Sequence, residues 1–290
     1  MKRTIRFARL SFERKLSHFE DDQDSLSRRR EALLEVIDFD NDLNKLLWNT
    51  GLNDIRQRGQ WYFGDVEAEN GFISARIGKE KEETTRYVDE EKKGFVEAAL
   101  EEADVAFFVI DVPNSVMAYE FRSNVGDKAP YRILEAVFNE FHEGSEELSI
   151  SPIVDKEEIR TELAKISRVT QVKFQGLKPT NPDHTDLSKP MDDFLTEGGI
   201  DKLFLDGRSG FDQSTTGINL DIPLLNGGLS LAEEGYGSAT IRGKMKSGED
   251  VVVTTDEKQI ETEVDEADTD RMYRKRLIEE IGERLDELED

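Results

Sequence analysis

Residues 60–78 read QWYFGDVEAENGFISARIG, and this stretch predicts a β-hairpin. Its turn is Asn70-Gly71, a pair favoured in two-residue type I′ turns because both central positions require a positive φ. The turn sets a register with one apolar face, made of three cross-strand pairs: Ala68–Ile73, Val66–Ala75 and Gly64–Ile77. The other face has two polar pairs: Asp65–Arg76 and Glu67–Ser74. Register, burial and charge therefore indicate the same antiparallel hairpin.

The segments around this hairpin alternate between strand and helix patterns up to residue 177. Runs rich in β-formers predict strands at 3–12, 105–111, 116–122, 148–154 and 169–177. Apolar residues at helical spacing predict helices at 25–37, 43–47, 89–103, 130–141 and 156–166. Asp24 or Ser25 is expected to cap the first helix, and Asp155 the last. The predicted fold class is α+β, a mostly antiparallel sheet covered by helices on one side.

The remainder of the chain has a different composition. Three of the seven prolines fall within 178–190, which predicts a surface linker. A helix broken at Gly198-Gly199 is expected over 191–206, and the glycine-rich stretch 207–237 is expected to be irregular. A hairpin turning at Ser247-Gly248 follows. The predicted segments are therefore a core domain at 1–178, a loop-rich region at 179–256 and an acidic C-terminal helix at 257–290.

The predicted C-terminal helix carries a narrow apolar seam. Its members are spaced three, four and three residues apart: Ile278, Ile281, Leu285 and Leu288. Such a seam either packs on the chain's own body or docks on a second subunit or another protein. It is the first candidate for a protein interaction or self-association element.

Charge is the strongest compositional feature. The chain has 64 Asp and Glu against 39 Lys and Arg, a net charge of −25. Such a charge destabilises the compact state by self-repulsion, and about 1 M salt screens it by shortening the Debye length to roughly 3 Å. Because the acids are interleaved with apolar residues, we interpret them as adaptation to concentrated salt. A surface that mimics DNA is the alternative, and it predicts acids concentrated on one face.

Several classes of protein are excluded or disfavoured by composition. The absence of cysteine excludes disulfides, thiolate zinc sites, iron–sulfur clusters and a cysteine nucleophile. There is neither the apolar stretch of a secretory signal nor a run of 18 apolar residues, so we expect a cytoplasmic protein without a membrane span. With only three histidines, far apart in the sequence, no metal site is predicted.

Two sets of residues are candidates for chemistry or binding. The first lies in the glycine-rich segment LDGRSGFD at 205–212 and comprises Asp206, Arg208 and Asp212. Converging carboxylates could hold a divalent cation for hydrolysis, although Asp and Gly also dominate ordinary turns. The second set is basic: Arg28, Arg29, Arg30 and Lys173. These could contact the phosphates of a nucleic acid. No other cofactor is predicted.

The segments VAFFVIDVPNSVMAYEF, RILEAVFNEF and ISPIVDKEEIRTELAKISRVTQVKFQGLKPTNP together resemble an uncharacterised prokaryotic, haloarchaeal protein family. Members of that kind often accompany mobile elements or phage-defence genes. The resemblance covers about residues 1–180 and implies no catalytic residues.

Three functions are compatible with these observations. The first is a non-catalytic binding or assembly component of a salt-adapted intracellular system, with phage defence or nucleic-acid processing as its setting. The second is a metal-dependent nuclease or related hydrolase built on Asp206 and Asp212. The third is an acidic, DNA-mimicking inhibitor. Among them the non-catalytic component ranks first, because the chain has no phosphate-binding loop, nucleophile elbow or zinc-peptidase motif.

Overall fold

The structure is a computed structural model that describes residues 2–14, 22–37, 60–89, 94–142, 144, 146–179, 187–209 and 217–289. The strands are β1 (Lys2–Arg14), β2 (Trp61–Glu69), β3 (Phe72–Asp89), β4 (Gly94–Asp111), β5 (Val116–Glu120), β6 (Glu146–Pro152), β7 (Ile166–Leu177), β8 (Leu203–Arg208), β9 (Ser238–Met245), β10 (Asp250–Thr254) and β11 (Glu261–Asp265). The helices are α1 (Asp22–Val36), α2 (Ala129–Phe141), α3 (Lys156–Ala164), α4 (Lys189–Glu197), α5 (Pro223–Glu233) and α6 (Asp270–Glu289). The predicted helix at 43–47 lies outside the described residues.

The strands form two antiparallel sheets, which confirms the α+β class. One sheet has seven strands in the order β11-β1-β5-β4-β3-β2, with β6 also paired to β1. The other has four strands in the order β10-β9-β7-β8. The predicted strands at 3–12, 105–111 and 169–177 lie within these sheets, whereas those predicted at 116–122 and 148–154 end earlier, at Glu120 and Pro152.

The chain forms two compact units. The first comprises Met1–Ile5, Arg14–Leu148 and Glu263–Asp290, and the second comprises Arg6–Glu13 and Ser149–Thr262. This division differs from the three predicted segments because β7 pairs with β8 and β9, which joins it to the glycine-rich region after it. The C-terminal helix α6 packs against β4 and β5 of the first unit.

The predicted turn of the hairpin at residues 60–78 is confirmed. Asn70 and Gly71 have φ values of 53° and 85°, as a type I′ turn requires. The two predicted pairs nearest the turn are present: Ala68–Ile73 and Glu67–Ser74.

A β-bulge then changes the register of this hairpin. Asp65 has a φ of 52°, and beyond it Phe63 pairs with Ile77 and Gly64 with Arg76. Three predicted pairs are therefore wrong: Val66–Ala75, Gly64–Ile77 and Asp65–Arg76. The bulge reverses the alternation, so that Trp61 and Phe63 lie fully buried instead of sharing the polar face. The Arg76 Nη1 atom still contacts Asp65 Oδ2 at 2.7 Å.

The predicted helix at 89–103 is wrong. Residues 94–103 belong to β4, which runs without interruption into the predicted strand at 105–111 and pairs with Glu80–Asp89 of β3. The spacing of Phe95, Val96, Ala99 and Leu100 fits a helix locally. Pairing with β3 overrides this local preference, because a strand's stability depends on its neighbours.

Helices lie on both faces of the first unit's sheet, not on one side as predicted. Phe108 of β4 pairs with Tyr119 of β5, and the ring of Tyr119 lies 5.7 Å from that of Tyr131 on α2. The next residue back, Phe107, points to the opposite face, where its ring lies 5.5 Å from Tyr273 on α6. The helix α1 packs beside α2 and begins at Asp22, before the predicted caps Asp24 and Ser25.

The second unit covers one face of its sheet with helices. The buried face of β7 and β9 packs against α4 and α5 in a common core. As predicted, Asp155 caps α3, because its Oδ1 accepts a hydrogen bond from the backbone N–H of Glu158 at 2.8 Å. The predicted hairpin at Ser247-Gly248 is also confirmed, and it joins β9 to β10.

The expectation of an irregular stretch at 207–237 is wrong in its second half. Residues 223–233 form α5, whose C-terminal half is buried. Its glycines allow close packing: a Cβ at Gly228 would lie 2.8 Å from Cε2 of Phe174. The predicted helix over 191–206 is likewise shorter, since Leu203–Arg208 is strand β8.

We expect Gly228→Ala and Gly282→Ala to change the free energy of unfolding in opposite directions. The new Cβ at Gly228 would collide with the ring of Phe174, which should cost about 1–3 kcal/mol. At Gly282 in α6 it would meet no described atom within 4 Å, and alanine favours a helix over glycine by about 0.5–1 kcal/mol. Urea denaturation measures both changes. Equal shifts in the two variants would contradict this packing role of Gly228.

Candidate functional site

The sheet of the second unit leaves one face open. On β7, Val172 and Phe174 point into the core, so Lys173 between them points away from it. Lys173 pairs with Thr240 of β9 and Asp206 of β8, and directly paired residues share a face. The opposite, buried face contains Ala239, Ile241 and Val253. We call the exposed side, on which Lys173 lies, the open face.

The open face carries more basic than acidic side chains. Its basic residues are Lys173, Arg208, Arg242, Lys244 and Arg168, which pairs directly with Lys244. Its acidic residues on the described strands are Asp206 and Asp250. Five positive charges against two negative ones leave an excess of three, on a chain whose net charge is −25. The side chains of Arg208 and Lys244 are 70% and 51% exposed, so solvent and ligands can reach them.

An aromatic ring lies on the same face. Phe204 of β8 is 65% exposed and pairs with Gln175 of β7. The Nζ atom of Lys202 lies 5.9 Å from the centroid of the Phe204 ring. Gln171 is paired with Arg208 on one side and Arg242 on the other. An exposed ring beside amide and cationic groups can stack on a nucleic-acid base while the cations contact phosphates.

Asp206 serves this face as a hydrogen-bond acceptor. Its carboxylate accepts from Arg208 Nη2 at 2.9 Å and from Gln171 Nε2 at 2.7 Å. The hydrogen bond from Arg208, and next that from Gln171, lowers the pKa of Asp206 to about 2. The carboxylate therefore has a low affinity for a proton, which makes it a weak general base at neutral pH. The other catalytic candidate, Asp212, lies outside the described residues, so the predicted pair stays a prediction.

A buried lysine follows β7. Lys178 is 4% exposed, and burial, followed by the charge of Lys202, lowers the pKa of its ammonium group to about 7. Its charge therefore changes near neutral pH, whereas an ordinary lysine stays protonated there. The residue adds a pH-dependent cation beside Lys202.

A second polar cluster lies on the α6 side of the first unit's sheet. Glu120 has a side chain 2% exposed that accepts hydrogen bonds from Arg3 Nη1 at 2.7 Å and Arg122 Nη2 at 2.9 Å. The hydroxyl of Tyr273 donates to the same carboxylate at 3.4 Å. A pocket of about 120 Å³ adjoins these groups and is lined by three arginines, three acids and the rings of Phe107 and Tyr273.

The charges of this cluster balance one another. Arg3 also pairs with Glu266, and Arg76 Nη2 lies 2.7 Å from Asp270 Oδ1. Burial, and next the charge of Glu120, raises the pKa of Tyr273, so its phenol keeps the proton that it donates. The cluster therefore anchors α6 to its own sheet and offers no excess charge for a ligand.

The remaining predicted residues fall on helices. On α1, Arg28 is exposed while Arg29 and Arg30 are half-buried, and Arg30 Nη2 donates to the Ala68 carbonyl at 3.4 Å. These arginines belong to the first unit, whereas Lys173 belongs to the second. Of the four predicted nucleic-acid contacts, Lys173 is the one that lies on the open face.

The seam predicted on α6 is partly turned toward its own sheet. Ile281 is fully buried, and Ile278 and Leu285 are half-buried. The buried stripe also includes Tyr273 and Leu277, which precede the predicted seam. Leu288 lies in the last turn of the helix. A partner for these residues stays a prediction.

Sequence reasoning missed several residues of the open face, among them Phe204, Arg242 and Lys244. The sequence feature that could have indicated them is an alternation with a period of two residues. Along β9, Ile241 and Gly243 alternate with Arg242 and Lys244. Leu205 similarly follows Phe204. This alternation marks the exposed residues of each strand, but it does not indicate which strands are neighbours.

Within the described residues, no group of three or more histidine or acidic side chains is arranged to hold a metal ion. No helix of the described part of the chain is both long and apolar enough to span a membrane.

Comparison with known proteins bears on the predicted resemblance. Curated proteins yield no match to the chain. A family model does match, and its match extends through the glycine-rich region and most of α6, well past residue 180 where the predicted resemblance ended. The chain belongs to the family described as Domain of unknown function (DUF4747), whose model matches residues 3–282.

Proposed function

We propose that this protein is a non-catalytic nucleic-acid-binding component that uses the open face of its second sheet. The observation that carries the proposal is the local reversal of charge. Five lysine and arginine side chains share the open face with Phe204, although the chain as a whole is strongly acidic. Neutralising phosphates and releasing their counterions is the principal source of non-specific affinity for nucleic acids.

The acids of the open face support this interpretation. Asp206 holds Arg208 through a 2.9 Å contact, which fixes the guanidinium near Gln171 without burying it. Asp250 lies 3.8 Å from Lys244, and both side chains are more than half exposed. Such exposed pairs are worth about 0–1 kcal/mol and give way readily to a phosphate. The two acids thus orient cations without blocking them.

We also propose the setting in which this binding takes place. The acid excess supports a salt-adapted cytoplasm of the haloarchaeal kind, because screening by salt relieves repulsion among carboxylates. A nucleic-acid-binding face suits a role in nucleic-acid processing, including phage defence. The half-buried side chains of Ile278 and Leu285 on α6 are the proposed contacts for a protein partner or a second copy of the chain.

The test is binding of a fluorescent single-stranded DNA of about 12 nucleotides, within the usual range of site sizes. The native protein is expected to bind with a slope of log K against log salt near −3, since about 0.7 counterions are released for each of four phosphates. The variant Lys173→Gln/Arg242→Gln should bind roughly tenfold more weakly at 0.1 M salt, with the slope reduced by about 1.4. Fluorescence anisotropy measures both quantities.

A matched variant controls for the change in net charge. Lys156→Gln/Lys189→Gln removes two positive charges from α3 and α4, on the covered side of the same sheet. We expect its affinity and salt slope to stay close to native. Equal losses in both double variants, or no binding by the native protein, would overturn the proposal.

A further inference from the structure

We infer that the open face selects single-stranded over duplex nucleic acid by stacking a base on Phe204. The inference rests on the proposed function and adds the class of ligand. Its starting point is that the most exposed large apolar side chain of the described residues lies on the basic face. Single exposed hydrophobic residues are common on proteins. Here the ring is surrounded by groups that suit the rest of a nucleotide.

The surroundings of Phe204 match the parts of a nucleotide. Gln175, paired directly across on β7, offers an amide that can both donate to and accept from the edge of a stacked base. Lys202 Nζ lies 5.9 Å from the ring centroid and can reach the attached phosphate. The ring remains 65% exposed with this lysine beside it, so a surface is left for stacking.

The basic residues continue from this ring along the sheet. Lys173 lies one strand across and two residues along from Phe204, a Cα separation of about 8 Å from ordinary strand spacings. Arg208 lies four residues along β8 from Phe204, about 13 Å away. Long lysine and arginine side chains at these distances reach phosphates that flank the stacked base. The face therefore fits a short single strand laid across it.

A duplex does not meet these requirements. Its base pairs present only their edges, in grooves that admit a helix or a two-stranded ribbon. A four-stranded sheet presenting its face does not fit the groove of an undistorted duplex, in which the ring of Phe204 finds no base surface. Opening and kinking the duplex to expose one costs a few kcal/mol for each base step that is unstacked. A duplex could still contact the cations through its phosphates. The expected preference for single strands therefore depends on Phe204, whereas the shared electrostatic contribution does not.

Binding of a labelled single strand and of the matching duplex, each about 12 nucleotides long, tests this inference. We expect the native protein to bind the single strand at least tenfold more tightly. Phe204→Ala should lose roughly tenfold on the single strand, since stacking is worth about 1–3 kcal/mol per base, and should leave duplex binding unchanged. Phe204→Trp should keep or raise single-strand affinity. DNA and RNA strands of one sequence show whether the 2′-hydroxyl matters.

Phe194→Ala is the matched control, because Phe194 is 45% exposed but lies on α4, away from the open face. We expect it to bind both probes like the native protein. If Phe204→Ala keeps native single-strand affinity while Lys173→Gln/Arg242→Gln loses it, the stacking inference is wrong and the proposed function survives. If the native protein binds neither probe, both are wrong. Equal losses for Phe194→Ala and Phe204→Ala would also overturn the inference.

Discussion

Replacing Arg160 by methionine is expected to lower the free energy of unfolding by about 3 kcal/mol. Arg160 on α3 contacts Glu233 on α5 twice, with Nε–Oε1 and Nη2–Oε2 distances of 2.7 Å each. The side chain of Glu233 is 2% exposed, so the variant leaves a buried carboxylate without its charged partner. Arg160 also donates to Asn226 Oδ1 at 2.8 Å and Ser230 Oγ at 3.3 Å, so these contacts are lost too. Urea denaturation at neutral pH measures the change.

The pH dependence of this loss follows from the pKa of Glu233. Burial raises that pKa above its ordinary value of 4.5, even though Arg160 opposes the shift. Without Arg160 the pKa should rise further. A carboxyl with a raised folded-state pKa contributes most stability below its unfolded value, and that stability is lost as pH rises through the folded value. The deficit of Arg160→Met relative to the native protein should therefore shrink as pH falls from about 7 to 4.5.

Two further variants separate charge from packing. In Arg160→Met/Glu233→Gln the buried charge is removed, and we expect most of the lost stability to return. Lys156→Met should cost less than Arg160→Met, because the half-exposed Lys156 makes a single, longer contact of 3.7 Å with Glu234, whose side chain is 9% exposed. A deficit that is independent of pH, or a double variant no more stable than Arg160→Met, would contradict the buried-charge explanation.

Local patterns were sufficient for the elements whose determinants lie within a few residues. The Asn70-Gly71 pair specifies its turn, and Asp155 specifies the start of α3 through a hydrogen bond three residues away. The bulge at Asp65 was not predictable in this way, because a positive φ at an aspartate has no sequence signature of its own. Its reason is the burial of Trp61 and Phe63, which depends on the rest of the core.

The errors arose where distant partners decide the structure. Residues 94–103 have helical spacing but pair with β3, and pairing of distant strands is not encoded in local periodicity. The glycines of α5 favour an irregular loop when the sequence is considered alone, whereas in the structure Gly228 leaves room for the ring of Phe174 on β7. In both cases the deciding contact joins separate elements.

The residues of the open face were hard to predict for the same reason, because strands that are distant in the sequence bring them together. Lys173 could be singled out from its own segment, but Phe204 and Arg242 become relevant only when β8 and β9 are known to flank β7. In a chain with 64 acidic residues, acids close together are common, so the pair Asp206 and Asp212 is weak evidence on its own and stays a prediction. Basic residues gathered on one face are the more informative feature.

A second large effect is expected for the dependence of the protein's stability on salt concentration. With a net charge of −25, the protein is expected to gain several kcal/mol of unfolding free energy between about 0.1 and 2 M KCl. If screening relieves about 0.2 kcal/mol for each excess negative charge, the gain is on the order of 5 kcal/mol. Since 1 kcal/mol raises the thermal midpoint by about 2 °C in a chain of this size, the midpoint should rise by roughly 10 °C.

Replacing acidic side chains by neutral ones should reduce the stability that the protein gains from concentrated KCl. Asp193 and Glu197 are exposed one helical turn apart on α4, where like charges repel by a few tenths of a kcal/mol, about as much as opposite charges attract. The variant Asp193→Asn/Glu197→Gln is expected to be more stable than the native protein in dilute KCl and to gain less from concentrated KCl. Thermal unfolding followed by circular dichroism across KCl concentrations measures both effects. A midpoint that stays constant or falls with KCl would contradict salt adaptation as the reason for the acid excess, because repulsion among exposed carboxylates must weaken as the Debye length shortens.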